Sequence, residues 1–64
     1  MITPQQRAMF LNEVRWAQAR GFKYETAVTF NVNAIANATN HPLGGEWERE
    51  LRAELDRIAK EATQ

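Results

Sequence analysis

The chain contains no cysteine and no serine, and its single histidine is His41. No Ser–His or Cys–His nucleophilic pair can therefore form, which excludes the hydrolases that depend on one. The missing cysteines also exclude disulfides, which many domains of this size use to supplement a small hydrophobic core. A partner subunit is another source of buried apolar surface for a chain of 64 residues, so we expect a homodimer.

An excess of charge of either sign is also missing, since eight basic side chains balance eight acidic ones. A zinc site needs three or four clustered ligands, and near His41 the carboxylates begin only at Glu46. No apolar run approaches the roughly 18 residues of a membrane span, and Met1 to Pro4 lack the basic and apolar regions of a signal peptide. We therefore expect a cytoplasmic, non-enzymatic protein that needs no cofactor or metal and does not bind membranes.

The few prolines and glycines lie near residue 4, at residue 21 and within residues 42–45, and they divide the chain into three segments. The first segment begins with the pattern of a capping box, in which Thr3 caps the helix and Gln6 bonds back to it. Its apolar residues Phe10, Val14 and Ala17 then recur at helical spacing. The pattern predicts a helix over residues 4–20 that ends at the glycine.

The last segment carries one apolar stripe, which spans about 80° of a helical wheel at 100° per residue. The stripe consists of Trp47, Leu51, Leu55, Ile58 and Ala62. Acid-before-base pairs at i, i+4, such as Glu48 with Arg52, add support of roughly 0.2–0.5 kcal/mol each. The sequence therefore predicts a helix over residues 46–62, whose apolar stripe is either core or the seam of a dimer.

The middle segment, residues 22–39, fits two patterns. Strand-forming residues alternate with polar ones from Phe22 to Val32, which is typical of a β-strand. A helical stripe also runs through the segment and leaves Phe30 facing outward; it consists of Tyr24, Val28, Val32, Ile35 and Thr39. A lone strand between two helices would find no backbone partner unless a second copy supplied one. We therefore predict an all-α three-helix bundle forming a single domain over residues 1–64, with an α-β-α chain paired through an intermolecular strand as the alternative.

A row of carboxylates lies along one edge of the predicted last helix, at Glu46, Glu50, Glu54 and Glu61. Like charges at i, i+4 cost a few tenths of a kcal/mol each, so helix stability alone does not explain the row. It faces either the basic side chains Arg20 and Lys23 of the same chain or another protein.

Met9 and Trp16 lie to one side of the core stripe of the first helix. A helix in a three-helix bundle touches two others, which accounts for a wide apolar face. Trp16 between Glu13 and Arg20 also has the character of an interface anchor with a polar rim. The predicted partner-binding residues are thus Met9, Trp16, Arg20, Glu46, Glu50, Glu54 and Glu61. The function we expect is that of a small inhibitor or adaptor of a larger protein, by analogy with phage-encoded blockers of a host enzyme or defence complex.

The alternative function is that of a small DNA-binding regulator of the helix-turn-helix type. Arg7, Arg15, Arg20 and Lys23 would supply a basic patch, and residues 25–39 would supply a reading helix. The asparagines of that segment can read adenine by paired hydrogen bonds. No arginine or lysine lies between Lys23 and Arg49 to hold phosphates, which argues against nucleic acid as the partner.

Overall fold

The computed structural model describes residues 2–63, and within that range the chain forms three helices. They are α1 (Pro4–Arg20), α2 (Tyr24–Thr39) and α3 (Gly45–Ala62). Each helix packs against the other two, so the predicted all-α three-helix bundle is confirmed. The alternative with an intermolecular strand is wrong, because the middle segment closes its backbone hydrogen bonds as a helix within one chain.

Helix α1 begins and ends as its sequence indicates. The Thr3 hydroxyl accepts the Gln6 backbone N–H at 3.1 Å, and the Gln6 side chain accepts the Thr3 N–H at 3.0 Å. At the other end Gly21 has a φ of 76°, a left-handed conformation that suits a residue without a Cβ. The next residue, Phe22, donates its N–H to the carbonyl of Ala17 at 2.9 Å. This Schellman turn folds Phe22 back along the last turn of α1.

Helix α2 buries the central residues of its predicted helical stripe, whereas Thr39 at its C-terminal end is exposed. Val28, Val32 and Ile35 are almost fully enclosed, whereas Phe30 is 58% exposed, as the helical pattern predicts. The alternation typical of a strand began at Phe22, which lies in the turn before α2 begins. At its C-terminal end α2 stops at Asn40, whose φ of 54° is again left-handed.

The hydrophobic core lies where the three inner faces meet. Its largest fully buried side chains are Phe10, Val28, Val32, Leu51 and Leu55. Leu51, Leu55 and Ile58 of the α3 stripe are thus core within one chain, and Trp47 is partly buried against that core. Ala62, predicted to belong to that stripe, is exposed, because it lies one turn beyond Ile58, the last core residue of α3.

Two polar links hold α2 against α3. The Tyr24 hydroxyl donates to Asp56 Oδ1 at 2.6 Å, and Arg52 lies 3.8 Å from the Glu25 carboxylate. Burial, followed by the hydrogen bond to Asp56 and the charges of Asp56 and Glu25, raises the pKa of Tyr24 above its ordinary value.

Asn31 is a buried polar residue, and its side-chain amide donates to the Ala27 carbonyl at 2.8 Å.

Candidate functional site

The turn between α1 and α2 brings two aromatic side chains together on the surface. The rings of Trp16 and Phe22 are stacked, with their centroids 5.3 Å apart and an angle of 9° between their planes. The Arg20 guanidinium carbon lies 5.3 Å from the centroid of the same indole. Arg20 and Phe22, the residues on either side of Gly21, therefore hold Trp16 in place, although Trp16 is 51% exposed.

Beside this stack lies a groove of about 520 Å³ between α1 and α2. We call it the aromatic groove, and its lining residues are Asn12, Glu13, Trp16, Ala17, Phe22, Thr26, Ala27 and Phe30. The small side chains of Ala17 and Ala27 are buried, so the surface dips between the helices. Trp16, Phe22 and Phe30 are more than half exposed beside that dip. The groove therefore combines apolar walls with a polar rim.

The exposed rings form a substantial apolar surface. An aromatic side chain offers about 150–250 Å² to bury, so half-exposed rings at Trp16, Phe22 and Phe30 leave roughly 300 Å² in contact with water. An apolar patch of this size on a small monomer often has a function.

Sequence reasoning found only part of this groove. It singled out Trp16, which lines the groove, and Arg20, which lies over the indole ring, and it noted Phe30 as facing outward. It missed Phe22, because the chain reversal at Gly21 that stacks the two rings depends on how α1 ends. The signal was a glycine directly after a helix and an aromatic residue directly after the glycine, which is the composition of a Schellman turn.

Met9 lies on the same outer face of α1 as Trp16, two turns nearer the N-terminus. The two side chains are 50% and 51% exposed. Neither is enclosed between helices, so the wide core face that would have explained them does not form. Met9 is not among the residues that line the aromatic groove, and it extends the apolar surface along α1.

The predicted acidic edge of α3 is partly neutralised by its own helix. Arg57 forms ion pairs with both Glu54 and Glu61, and its distance to Glu61 is 3.3 Å. The expectation that helix stability alone does not explain this row is therefore wrong for Glu54 and Glu61. Glu46 and Glu50 are exposed and form no ion pair within the described part of the chain. None of the four glutamates of this edge lines the aromatic groove beside Trp16.

His41 is an exposed loop residue whose ring makes specific contacts. Its ring stacks on that of Trp47, with centroids 4.0 Å apart and an angle of 11° between the planes. Its Nδ1 lies 2.8 Å from the Pro42 carbonyl oxygen, a distance at which the ring nitrogen donates. In the range that the structure describes, no three His, Asp or Glu side chains are grouped as metal ligands are.

The basic residues of α1 do not form one patch. At 100° per residue, Arg15 projects about 140° away from Arg20 around the helix. The proposed reading helix also loses one of its asparagines, because Asn31 is buried and bonded to the Ala27 carbonyl. Arg15 and Arg20 thus project from different sides of α1, and Asn31 does not lie at the surface of α2.

Comparison with protein-family models, with curated proteins and with solved structures gives no match. Over residues 2–63, none of the helices has both the length and the apolar character needed to cross a bilayer.

Proposed function

We propose that this chain is a non-catalytic protein-binding module that contacts a larger protein through the aromatic groove. The observation that supports the proposal is the half-exposed Trp16, held by Phe22 and Arg20 at the edge of an apolar groove. Such a module acts as an inhibitor or adaptor by occupying a surface of its partner.

The groove has the composition of an interface. Tryptophan and other aromatic side chains are enriched among the residues that contribute most to protein binding. Because Trp16 is already held in one position, less side-chain freedom is lost when a partner covers it. Asn12, Glu13 and Thr26 supply hydrogen-bonding groups at the rim. A groove between two helices accepts the apolar face of an amphipathic helix, whose side chains enter it at helical spacing.

Phe30 offers a direct test, because its ring is 58% exposed and its removal leaves the core intact. A photo-crosslinking residue at Thr26, on the rim, captures the partner in cells that naturally express the chain, and mass spectrometry identifies it. The partner is then purified and titrated with Phe30→Ala and with Leu43→Ala. Leu43 is the matched control, because it is 51% exposed but lies outside the groove.

We expect Phe30→Ala to raise the dissociation constant about tenfold or more, which corresponds to about 1.4 kcal/mol, and Leu43→Ala to leave it unchanged. Far-ultraviolet circular dichroism checks that both variants keep their helices. Equal affinities for the wild type and Phe30→Ala, or no protein captured at Thr26, would contradict the proposal. So would robust binding of mixed-sequence duplex DNA that weakens as salt rises.

A further inference from the structure

We infer that in the free protein the aromatic groove is closed by α1 of a second copy. The two α1 helices lie antiparallel, and the two-fold axis passes between Trp16 and Ala17. This inference rests on the proposed function in that both use the same groove.

The charges on the outer face of α1 are self-complementary about that axis. Glu13 and Arg20 lie about 20° apart around the helix and about 10 Å apart along it, on either side of Trp16. Within residues 2–63 neither of them belongs to an ion pair. A two-fold axis midway between them exchanges their positions, so Glu13 of each copy faces the other copy's Arg20. Two ion pairs thus form from one repeated surface, as an isologous dimer requires.

The same axis also matches side-chain sizes. It places Trp16, a large exposed side chain, opposite the second copy's Ala17, a small side chain that is buried at the bottom of the groove. Ala17 and Ala27 form the floor of the groove, and Phe22 and Phe30 are the aromatic residues beside it. Each indole therefore enters the groove of the other copy, and both grooves are filled at once.

No other helix of the described chain offers the same apolar anchors. The outward side of α1 carries Met9 and Trp16, spaced as two turns of a helix that lies along a groove. The exposed residues of α3 include carboxylates and arginines, and α2 contributes its exposed ring, Phe30, to the wall of the groove itself. A second copy's α1 is thus the segment of this chain that fits.

The available area indicates a weak dimer. The chain exposes 4614 Å², against roughly 4,200 Å² for a compact monomer of its mass. The exposed rings supply roughly 300 Å² per copy, which is about half of the roughly 600 Å² per partner that the smallest specific complexes bury. We expect dissociation at about micromolar concentration, so that a partner protein can displace the second copy.

Sedimentation equilibrium over a range of concentrations tests the inference through exchanged charges. Glu13→Arg places an arginine opposite the second copy's Arg20 on both sides of the axis. Arg20→Glu places a glutamate opposite the second copy's Glu13 on both sides. We expect each variant to dissociate at about tenfold or more higher concentration than the wild type. Arg15→Glu, a charge reversal on another side of α1, is the matched control and should dimerise as the wild type does.

The decisive sample is an equimolar mixture of the two charge variants. In a dimer of one variant with the other, each of the two pairs joins a positive and a negative side chain, so the mixture should dimerise about as strongly as the wild type. The double variant Glu13→Arg/Arg20→Glu should dimerise by itself for the same reason. A monomeric wild type, single variants that associate normally, or a mixture that stays monomeric each overturns the inference. A monomeric wild type whose captured partner still depends on Phe30 would leave the proposed function intact.

Discussion

Replacing Tyr24 with phenylalanine isolates one interaction between α2 and α3. The hydroxyl donates to Asp56 at 2.6 Å, while the ring packs edge-on against Phe10 with a centroid distance of 6.4 Å. Tyr24→Phe keeps the ring contact and removes only the hydrogen bond.

The magnitude follows from the exposure of the acceptor. A hydrogen bond to a charged group contributes about 1.5–3 kcal/mol, and because Asp56 is exposed we expect about 1 kcal/mol here. A loss of 1 kcal/mol lowers the melting temperature of a domain of 60–100 residues by about 4–8 °C. Asp56→Asn retains an oxygen acceptor, so it should lower the melting temperature less than Tyr24→Phe does.

The pH dependence separates this bond from a simple packing change. Because the pKa of Tyr24 is raised in the folded chain, its contribution is fully present below the unfolded pKa of about 10 and is lost as pH rises above it. One proton changes the free energy of unfolding by at most about 1.4 kcal/mol per pH unit. The comparison with Tyr24→Phe isolates this contribution, because the two proteins differ only in the hydroxyl of residue 24.

Urea unfolding followed by circular dichroism, from about pH 7 to about pH 11, measures the difference between the two proteins. We expect the advantage of the wild type to disappear within about one pH unit above pH 10. A difference that stays constant across this range would refute the reasoning, because it would mean that the hydroxyl titrates alike in the folded and unfolded chains.

Two further predictions concern the core and a helix end. Replacing the fully buried Leu55 by alanine should lower the free energy of unfolding by about 2–5 kcal/mol. Thermal melts of Leu55→Ala, compared with those of the exposed control Leu43→Ala, check this prediction. A Cβ added at Gly21 would meet nothing within 4 Å, so the φ of 76° is the only source of strain for an alanine there. Gly21→Ala should therefore lower the free energy of unfolding, measured with urea, by about 1–2 kcal/mol. Gly21→Asn should lose less, and a fully stable Gly21→Ala would contradict this account.

The outer helices could be predicted because their signals are local. The capping box at Thr3 and the glycine at residue 21 mark the ends of α1, and the stripe through Leu51 and Leu55 marks α3. The middle segment was ambiguous because Val28 and Val32 fit both periods. Backbone hydrogen bonding, which a single strand in this chain could not satisfy, explains why the helix forms.

The candidate site was harder to predict, because it depends on how two helices meet. Trp16 stood out as an apolar residue off the core face, but its contacts with Phe22 and the groove beside Phe30 follow from the turn and from the packing of α2 on α1. The prediction that helix stability does not explain the acidic row is wrong at Glu54 and Glu61 for a different reason. Arg57 is three residues after Glu54 and four before Glu61, a spacing that pairs charges on one helix, and that local signal was overlooked.

The aromatic groove is lined only by residues 12–30, so among the described helices α3 contributes nothing to its walls. The surface that we propose for partner binding thus lies within one continuous stretch of the sequence, residues 12–30. Substitutions at exposed residues of α3 leave the walls of the groove unchanged, whereas Leu51, Leu55 and Ile58 complete the core that α3 shares with the first two helices.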